Sequence, residues 1–286
     1  MAAGRASGPA LPDGVAARIV VEPRATSTSP LRRLRMRTRG TRVTMGATLA
    51  AVAALLRTSA GDGRQPSRGA APAVPAALDH VILGIDSLER GVALLRAMTG
   101  VSPVYGGAHP GRGTQNALLS LGDGRYLELL APNPADTAAA SSADARDLAR
   151  HRTPTPIGWA FHVGDADSAR AAFVAAGLEA TAVRPGARDR PDGRRLSWRT
   201  VVPFGTSLGK AHEVLPFAIA WGPGTPHPSS DAPAGCTLER FAIVSPVADS
   251  IGALLARAGA PTQVEAGARE HVRIALRCPK GRITLP

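Results

Sequence analysis

Leu78-Asp79-His80-Val81-Ile82-Leu83-Gly84-Ile85, followed at once by Asp86-Ser87-Leu88-Glu89, is the stretch on which the reading of this chain turns. Val81, Leu83 and Ile85 alternate with His80, Ile82 and Gly84, the two-residue period of a strand. Asp86 to Glu89 offers N-cap and first-turn residues. Leu88, Val92, Leu95 and Met98 then share one helical face, and Gly100 stops the helix. A glycine-rich loop at residues 106–113 leads into two strands, 114–121 and 125–131, joined by the tight turn Gly122-Asp123-Gly124. The unit is strand, helix, meander.

The same order recurs downstream. Residues 158–163 read as a strand. Residues 165–176 read as a helix with Ala169, Ala172, Phe173 and Ala176 inward, ending at Gly177, and strands follow around 196–202 and 211–219. His80 to Glu128 spans 48 residues and His162 to Glu213 spans 51, a spacing that argues for internal duplication. A third unit is partial: strand 237–245, helix 247–258 ending at Gly259, and strands 271–277 and 282–285, where the chain ends before a full copy forms.

Of the 286 residues, 44% are apolar and only 3% aromatic, so the core is built from Ala, Val, Leu and Ile, and base stacking on nucleic acid is disfavoured. The net charge of +12 is unevenly placed. Residues 1–76 hold 12 Arg against three acids, whereas residues 77–286 hold 22 Lys and Arg against 19 acids. The basic character belongs to the tail, and no clustered face for phosphates is visible. Residues 1–35 lack any period and read as disordered. The basic run Arg32 to Arg39, the apolar stretch 43–56 and the small residues Thr58-Ser59-Ala60 resemble a signal peptide. At 14 residues that stretch is too short to span a membrane. Residues 61–76 read as a linker. The expected location is cytoplasmic, with export through the segment at about 36–60 as the alternative. Cys236 and Cys278 read as buried small residues, a disulfide requiring export.

Three pieces together resemble a known family: Leu78-Asp79-His80-Val81-Ile82, then His109-Pro110-Gly111-Arg112-Gly113-Thr114-Gln115-Asn116-Ala117-Leu118, then Tyr126-Leu127-Glu128-Leu129-Leu130-Ala131-Pro132. Leu215 to Gly222, with His227-Pro228, also fits. The chain from about 77 to 285 resembles the glyoxalase-like domains of the vicinal oxygen chelate superfamily. The resemblance implies an α+β fold in which tandem βαβββ modules form a curled mixed sheet around a pocket. The first module would occupy 77–134, the second 156–222 and the partial third unit 235–286, with 1–76 a tail or targeting segment. Members include glyoxalase I, extradiol dioxygenases, epimerases, fosfomycin-resistance transferases and metal-free sequestration proteins.

Many members hold a divalent metal through His, Gln and Glu on the first and last strands of the modules. His80 and Glu128 match those positions in the first unit, and His162 and Glu213 are the candidates in the second. A neutral imidazole and a carboxylate suit Fe, Mn, Ni or Zn, and open positions would let two neighbouring substrate oxygens bind the metal as Lewis acid. Glu128, between Leu127 and Leu129, is costly to bury without a cation, a proton or water. If residues 215–221 form the pocket strand, Glu213 lies at its edge. His109 and Gln115 flank the glycine turn as candidate ligand contacts. His151, His212, His227 and His271 show no partner pattern. The expectation is a metal-dependent lyase, isomerase or dioxygenase acting on a small oxygenated molecule. The alternative is a sequestration protein of the same fold. Small-molecule ligands, not nucleic acid or membrane, are the expected partners, and a homodimer is left open.

Overall fold

β1 (Leu78–Gly84) forms where the alternating stretch lies, and α1 (Leu88–Thr99) follows. Ser87 caps α1, its Oγ accepting the Arg90 N–H at 3.4 Å, and Gly100 ends it at φ 82, a left-handed conformation that glycine adopts without penalty. This computed structural model describes residues 73–139, 142–190, 192–204 and 214–286. The signal-like segment at 36–60 and the candidate Glu213 lie outside the described residues.

β2 (Val104–His109), β3 (Thr114–Gly122) and β4 (Arg125–Pro132) complete the first module. β2 is a correction, since residues 106–109 read as loop. Its glycines are there because neighbours fill their space. A Cβ on Gly106 would stand 2.4 Å from Asn116 Oδ1, and Gly107 sits at φ 137 with Arg188 Nη1 3.0 Å from where its Cβ would be. A short helix, α2 (Ala143–Leu148), links to the second module.

That module comprises β5 (Thr155–His162), α3 (Ala166–Ala175), β7 (Arg184–Asp189), β8 (Arg195–Val201) and β10 (Phe217–Trp221), with β6 (Glu179–Ala180) and β9 (Pro203–Phe204) as a minor pair. β7 was not anticipated, because Arg184-Pro185-Gly186-Ala187-Arg188-Asp189 has turn residues and charge instead of an apolar period. Among the described residues the last strand begins at Phe217; 211–213 lie outside them and 214–216 are not strand.

The eight main strands form one sheet in the order β2-β3-β4-β1-β5-β10-β8-β7. Within each module the first strand runs parallel to the last, β1 with β4 and β5 with β10, and β1 and β5 join the modules antiparallel. The duplication is therefore topological. The sheet curls until its edge strands β2 and β7 touch, giving the mixed, nearly closed α+β architecture that the resemblance implied.

The third unit has a module's element count but not its pairing. β11 (Thr237–Ser245), α4 (Ala248–Arg257), β12 (Val264–Ala266), β13 (His271–Cys278) and β14 (Gly281–Leu285) make a separate sheet, β12-β11-β13-β14. The strand after the helix returns parallel beside β11, whereas in the modules that strand lies at the far edge.

Val81, Leu83, Leu127, Leu129, Trp159 and Phe161 point to the outer face of the curled sheet, where α1, α3 and the second sheet cover them in one apolar cluster. Trp159 meets Phe241 of β11 with ring centroids 4.9 Å apart and donates its Nε1–H to Val214 O at 2.9 Å. Each such ring contributes roughly 1.5–3 kcal/mol by burial. The inner face is left free for polar residues. Cys236 and Cys278, read as buried small residues, are indeed buried but are joined by a disulfide. Among the described residues no helix is long and apolar enough to cross a membrane.

Candidate functional site

The two-residue period decides which side chains meet. With Val81 and Leu83 outward, His80 and Ile82 face inward. β4 lies parallel, with Tyr126 opposite His80 and Glu128 opposite Ile82, so both of these face inward too. On β3, Leu118 is opposite Glu128, which puts Asn116 and Thr114 on the same face. From the other module, Phe217 is opposite the inward Ala160. The inner face thus collects His80, Asn116, Tyr126, Glu128 and Phe217. The His80 ring stacks on Tyr126 at 4.5 Å and meets Phe217 edge-on at 5.5 Å.

A bulge adds one more group. Pairing between β1 and β5 shifts between Leu78 and His80. Asp79 falls at this irregularity and turns its carboxylate toward the inner face. There it is 1% exposed and acts as a hub. Oδ1 accepts from His80 Nδ1 at 2.7 Å, and Oδ2 accepts from Trp221 Nε1 at 2.9 Å, His227 Nε2 at 3.2 Å and His162 Nδ1 at 3.3 Å. Burial pushes the Asp79 carboxyl up, but the hydrogen bonds from His162, His227 and His80 outweigh it and hold the group well below the usual carboxylate range. The same contact raises His162 above its ordinary value. Because an ionised Asp79 can only accept, His80 carries its proton on Nδ1 and turns Nε2 toward Glu128.

Glu128 is the second buried carboxylate. Its Oε2 lies 3.6 Å from His80 Nε2, and its Oε1 accepts from Asn116 Nδ2 at 2.6 Å and lies 3.8 Å from His109 Nε2. Burial pushes Glu128 up, yet the positive potential of His80, His109 and Arg188 and the Asn116 hydrogen bond bring it below its ordinary value. His109, held by Thr114 Oγ1 at 2.9 Å, is shifted down by burial.

A strap covers this face. Residues 222–236 cross it, with Ala232 packed on Leu118 and Tyr126, and the Ser120 N–H donating to Pro233 O at 2.9 Å. His227 within the strap lies 5.5 Å from the Tyr126 ring and 5.4 Å from Trp221. Asp231 accepts from Arg190 at 2.6 Å and Arg194 at 2.9 Å, and Cys236 anchors the far end. Beside the strap, Asp79, Asp123, His162 and His227 line a cleft of about 540 Å³.

The six candidate residues are thus distributed unevenly. His80, Glu128 and His109 come together. His162 is half exposed and meets Asp79, not Glu128. Gln115 points to the outer face, where it donates to Pro132 O at 3.1 Å and lines a separate groove with Leu88, Val92 and Tyr105. Glu213 lies outside the described residues.

Register explains why the second half does not mirror the first. Gly84 stands three residues before the α1 cap Ser87, and His162 three before the α3 cap Asp165, so these two are equivalent. Counting back, Gly158 occupies the place of His80. Phe217, opposite Ala160, occupies the place of Glu128. The sequence spacing aligned His162 with His80, four residues out of register.

A divalent metal, the cofactor that the resemblance implies, is poorly served by this arrangement. Among the described residues no group of three or more His, Cys, Asp or Glu could hold an ion. One Glu128 oxygen is already taken by Asn116, and the Arg188 guanidinium adds positive potential where a cation would have to sit. In the second module the places of His80 and Glu128 are taken by Gly158 and Phe217, which offer no donor.

Sequence reasoning missed Asp79, Asn116, Arg188, Trp221 and His227 as members of this site. A signal existed for Asp79, since an acid inside an apolar strand is costly to bury without partners. His227 lies in a segment that fits the family resemblance but shows no partner pattern, and nothing local announces Arg188.

A family profile described as a glyoxalase-like domain matches residues 78–259. No curated protein sequence matches the chain. Among solved structures, a hypothetical protein from Staphylococcus aureus is 15% identical, covering 73% of this chain and 84% of its own, with a TM-score of 0.49. Methylmalonyl-CoA epimerase from Mycobacterium tuberculosis is 21% identical over 53% of this chain and 91% of its own, with a TM-score of 0.37. A triple mutant of 4-hydroxymandelate synthase from Streptomyces coelicolor is 20% identical over 74% of this chain and 62% of its own, at 0.38.

Proposed function

The chain belongs to the glyoxalase-like domain family, and from that premise we propose that it is an acid–base enzyme of the isomerase or lyase type, moving a proton on a small carbonyl compound bound at the inner face. The observation that carries this reading is the line Asp79–His80–Glu128. Asp79 holds the His80 ring through Nδ1 at 2.7 Å and turns its Nε2 toward Glu128 Oε2 at 3.6 Å.

A base so placed takes a proton from a carbon next to a carbonyl, leaving the electron pair on the enolate. The imidazolium formed stands between two carboxylates, Asp79 and Glu128, which lowers the cost of its charge. Return of the proton to the same or a neighbouring carbon gives back the ligand or its isomer. Two buried acids and a buried imidazole are expensive in a pocket that merely holds an apolar molecule. The metal-dependent form of the reading has less support, because Gly158 and Phe217 stand where a second ligand pair would be.

That same substitution of Gly158 and Phe217 favours one other reading, a binding protein that sequesters its ligand without chemistry. The experiment that separates the two is proton exchange in D2O. Hydroxyacetone and pyruvate are incubated with the full chain, and loss of C–H signal is followed by proton NMR. Exchange above the buffer rate, reduced about 100-fold in His80→Gln, is the expected result. Binding without exchange indicates sequestration. Exchange undiminished in His80→Gln contradicts the role given to His80.

A further inference from the structure

Arg188 is a buried cation with one guanidinium nitrogen that has no hydrogen-bond partner among the described residues. It sits on β7, is 6% exposed, and faces inward by register. Among the described residues its Nη1 is buried with no hydrogen-bond partner, although the other cations of the neighbouring hairpin, Arg190 and Arg194, are paired with Asp231. It feels the charge of Glu128 without forming an ion pair with it among the described residues. A guanidinium carries five N–H donors and stays charged at any working pH, and burying one without an acceptor is costly. The fold nonetheless makes room for it. Gly107 of β2, directly across the seam where the sheet closes, leaves the space in which Arg188 Nη1 lies.

We infer that Arg188 is the anchor for a carboxylate on the ligand, so that the site takes small 2-oxo or 2-hydroxy acids rather than neutral carbonyl compounds. This rests on the pocket reading above and names its substrate class. The planar fork of Arg matches the two oxygens of a carboxylate. Glu128 is ionised nearby, and a phosphate dianion would meet more of its repulsion than a carboxylate would. Register puts Arg188 on the same face of the sheet as His80 and Glu128, so a carboxylate seated on Arg188 would leave the adjoining oxygenated carbon on that face. Arg188 is therefore a specificity-determining residue, in a module other than the one that supplies the base.

Isothermal titration of the full chain with pyruvate, hydroxyacetone and inorganic phosphate tests this. Pyruvate and hydroxyacetone have the same carbon count and differ in the carboxylate. The expected result is that pyruvate binds at least about tenfold more tightly than hydroxyacetone and than phosphate, and that Arg188→Gln removes the difference. Equal affinity for pyruvate and hydroxyacetone overturns the inference, as does tighter binding of phosphate, no binding of any of the three, or a preference retained in Arg188→Gln. The wild-type comparison stands even if Arg188→Gln does not fold, and Arg188→Lys, which keeps the charge but loses the fork, is expected to show an intermediate preference. The two readings fail separately. Pyruvate held by Arg188 without proton exchange would sink the enzyme reading alone, and His80-dependent exchange on hydroxyacetone without any acid preference would sink this one alone.

Discussion

Phe217 stands in the second module at the register position that Glu128 holds in the first, each directly across a parallel strand pair from the residue two before the end of its module's first strand. The His80 ring contacts both, Glu128 through Nε2 at 3.6 Å and Phe217 edge-on at 5.5 Å. One module therefore supplies His80 and both buried carboxylates, and the other supplies Phe217 and the buried Arg188. A duplicated fold has become an asymmetric site.

If register alone denies the second module its ligands, restoring them should create a metal site. Gly158 leaves room for a side chain, its nearest neighbour being Ile82 Cδ1 at 3.8 Å from a Cβ. The double substitution Gly158→His with Phe217→Glu is expected to bind Zn²⁺ stoichiometrically, at least about 100-fold more tightly than wild type, as read by equilibrium dialysis. No gain in a folded double variant would show that the inner face does not converge as described.

The Asp79 hub makes stability depend on pH in two windows. His162 is raised above its ordinary 6.5 by its hydrogen bond to Asp79, so its contribution is complete below about 6.5 and fades as pH rises through the raised value. Asp79 and Glu128 are lowered, so theirs are complete above about pH 4–5 and are lost on acidification through the lowered values. His162→Gln should lower Tm by about 1–3 °C near pH 6, the scale of a half-exposed pair, and the gap to wild type should close by pH 9. A gap that widens toward pH 9 would have the wrong sign.

The disulfide between Cys236 and Cys278 closes a separation of 42 residues and fixes one end of the strap. Loop-closure entropy at that length corresponds to roughly 3–4 kcal/mol, so reduction should lower Tm by about 10 °C. Such a bond is maintained in oxidising compartments. Thiol titration of unfolded protein recovered from its native location should find no free thiol if the chain is exported, and two if it stays in the cytoplasm.

Asp231 holds the other side of the strap through Arg190 and Arg194. Asp231→Asn should speed amide hydrogen exchange over residues 222–236 about tenfold while leaving β1 and β4 unchanged, because those strands are held by the outer core. Uniform acceleration across all three would mean that the strap is part of the main cooperative unit.

The first module was legible because its strand alternates cleanly, its helix carries a cap and a glycine stop, and its hairpin turns on Gly122-Asp123-Gly124. β2 and β7 were not, since the residues that make them strands are glycines and arginines chosen for the seam they form together. His80 and Glu128 could be singled out as polar groups inside apolar strands. The same argument applied to Asp79, but a bulge reverses a side chain's facing and periodicity does not reveal one. The pairing of His162 with His80 failed because equal spacing between like residues counts loop insertions along with strands, whereas the helix caps keep true register. Arg188 and His227 reach the site from segments whose composition reads as turn, and only the closed sheet and the strap bring them in.

The proton transfer proposed for His80 and Glu128 needs no metal between them. Its most direct test is the deuterium-exchange assay repeated on protein stripped with a chelator and shown by elemental mass spectrometry to hold less than about 0.05 metal per chain. Exchange is expected at the same rate as in untreated protein, and is lost in both His80→Gln and Glu128→Gln. Exchange that disappears on stripping and returns with added Zn²⁺, Mn²⁺ or Ni²⁺ would contradict it.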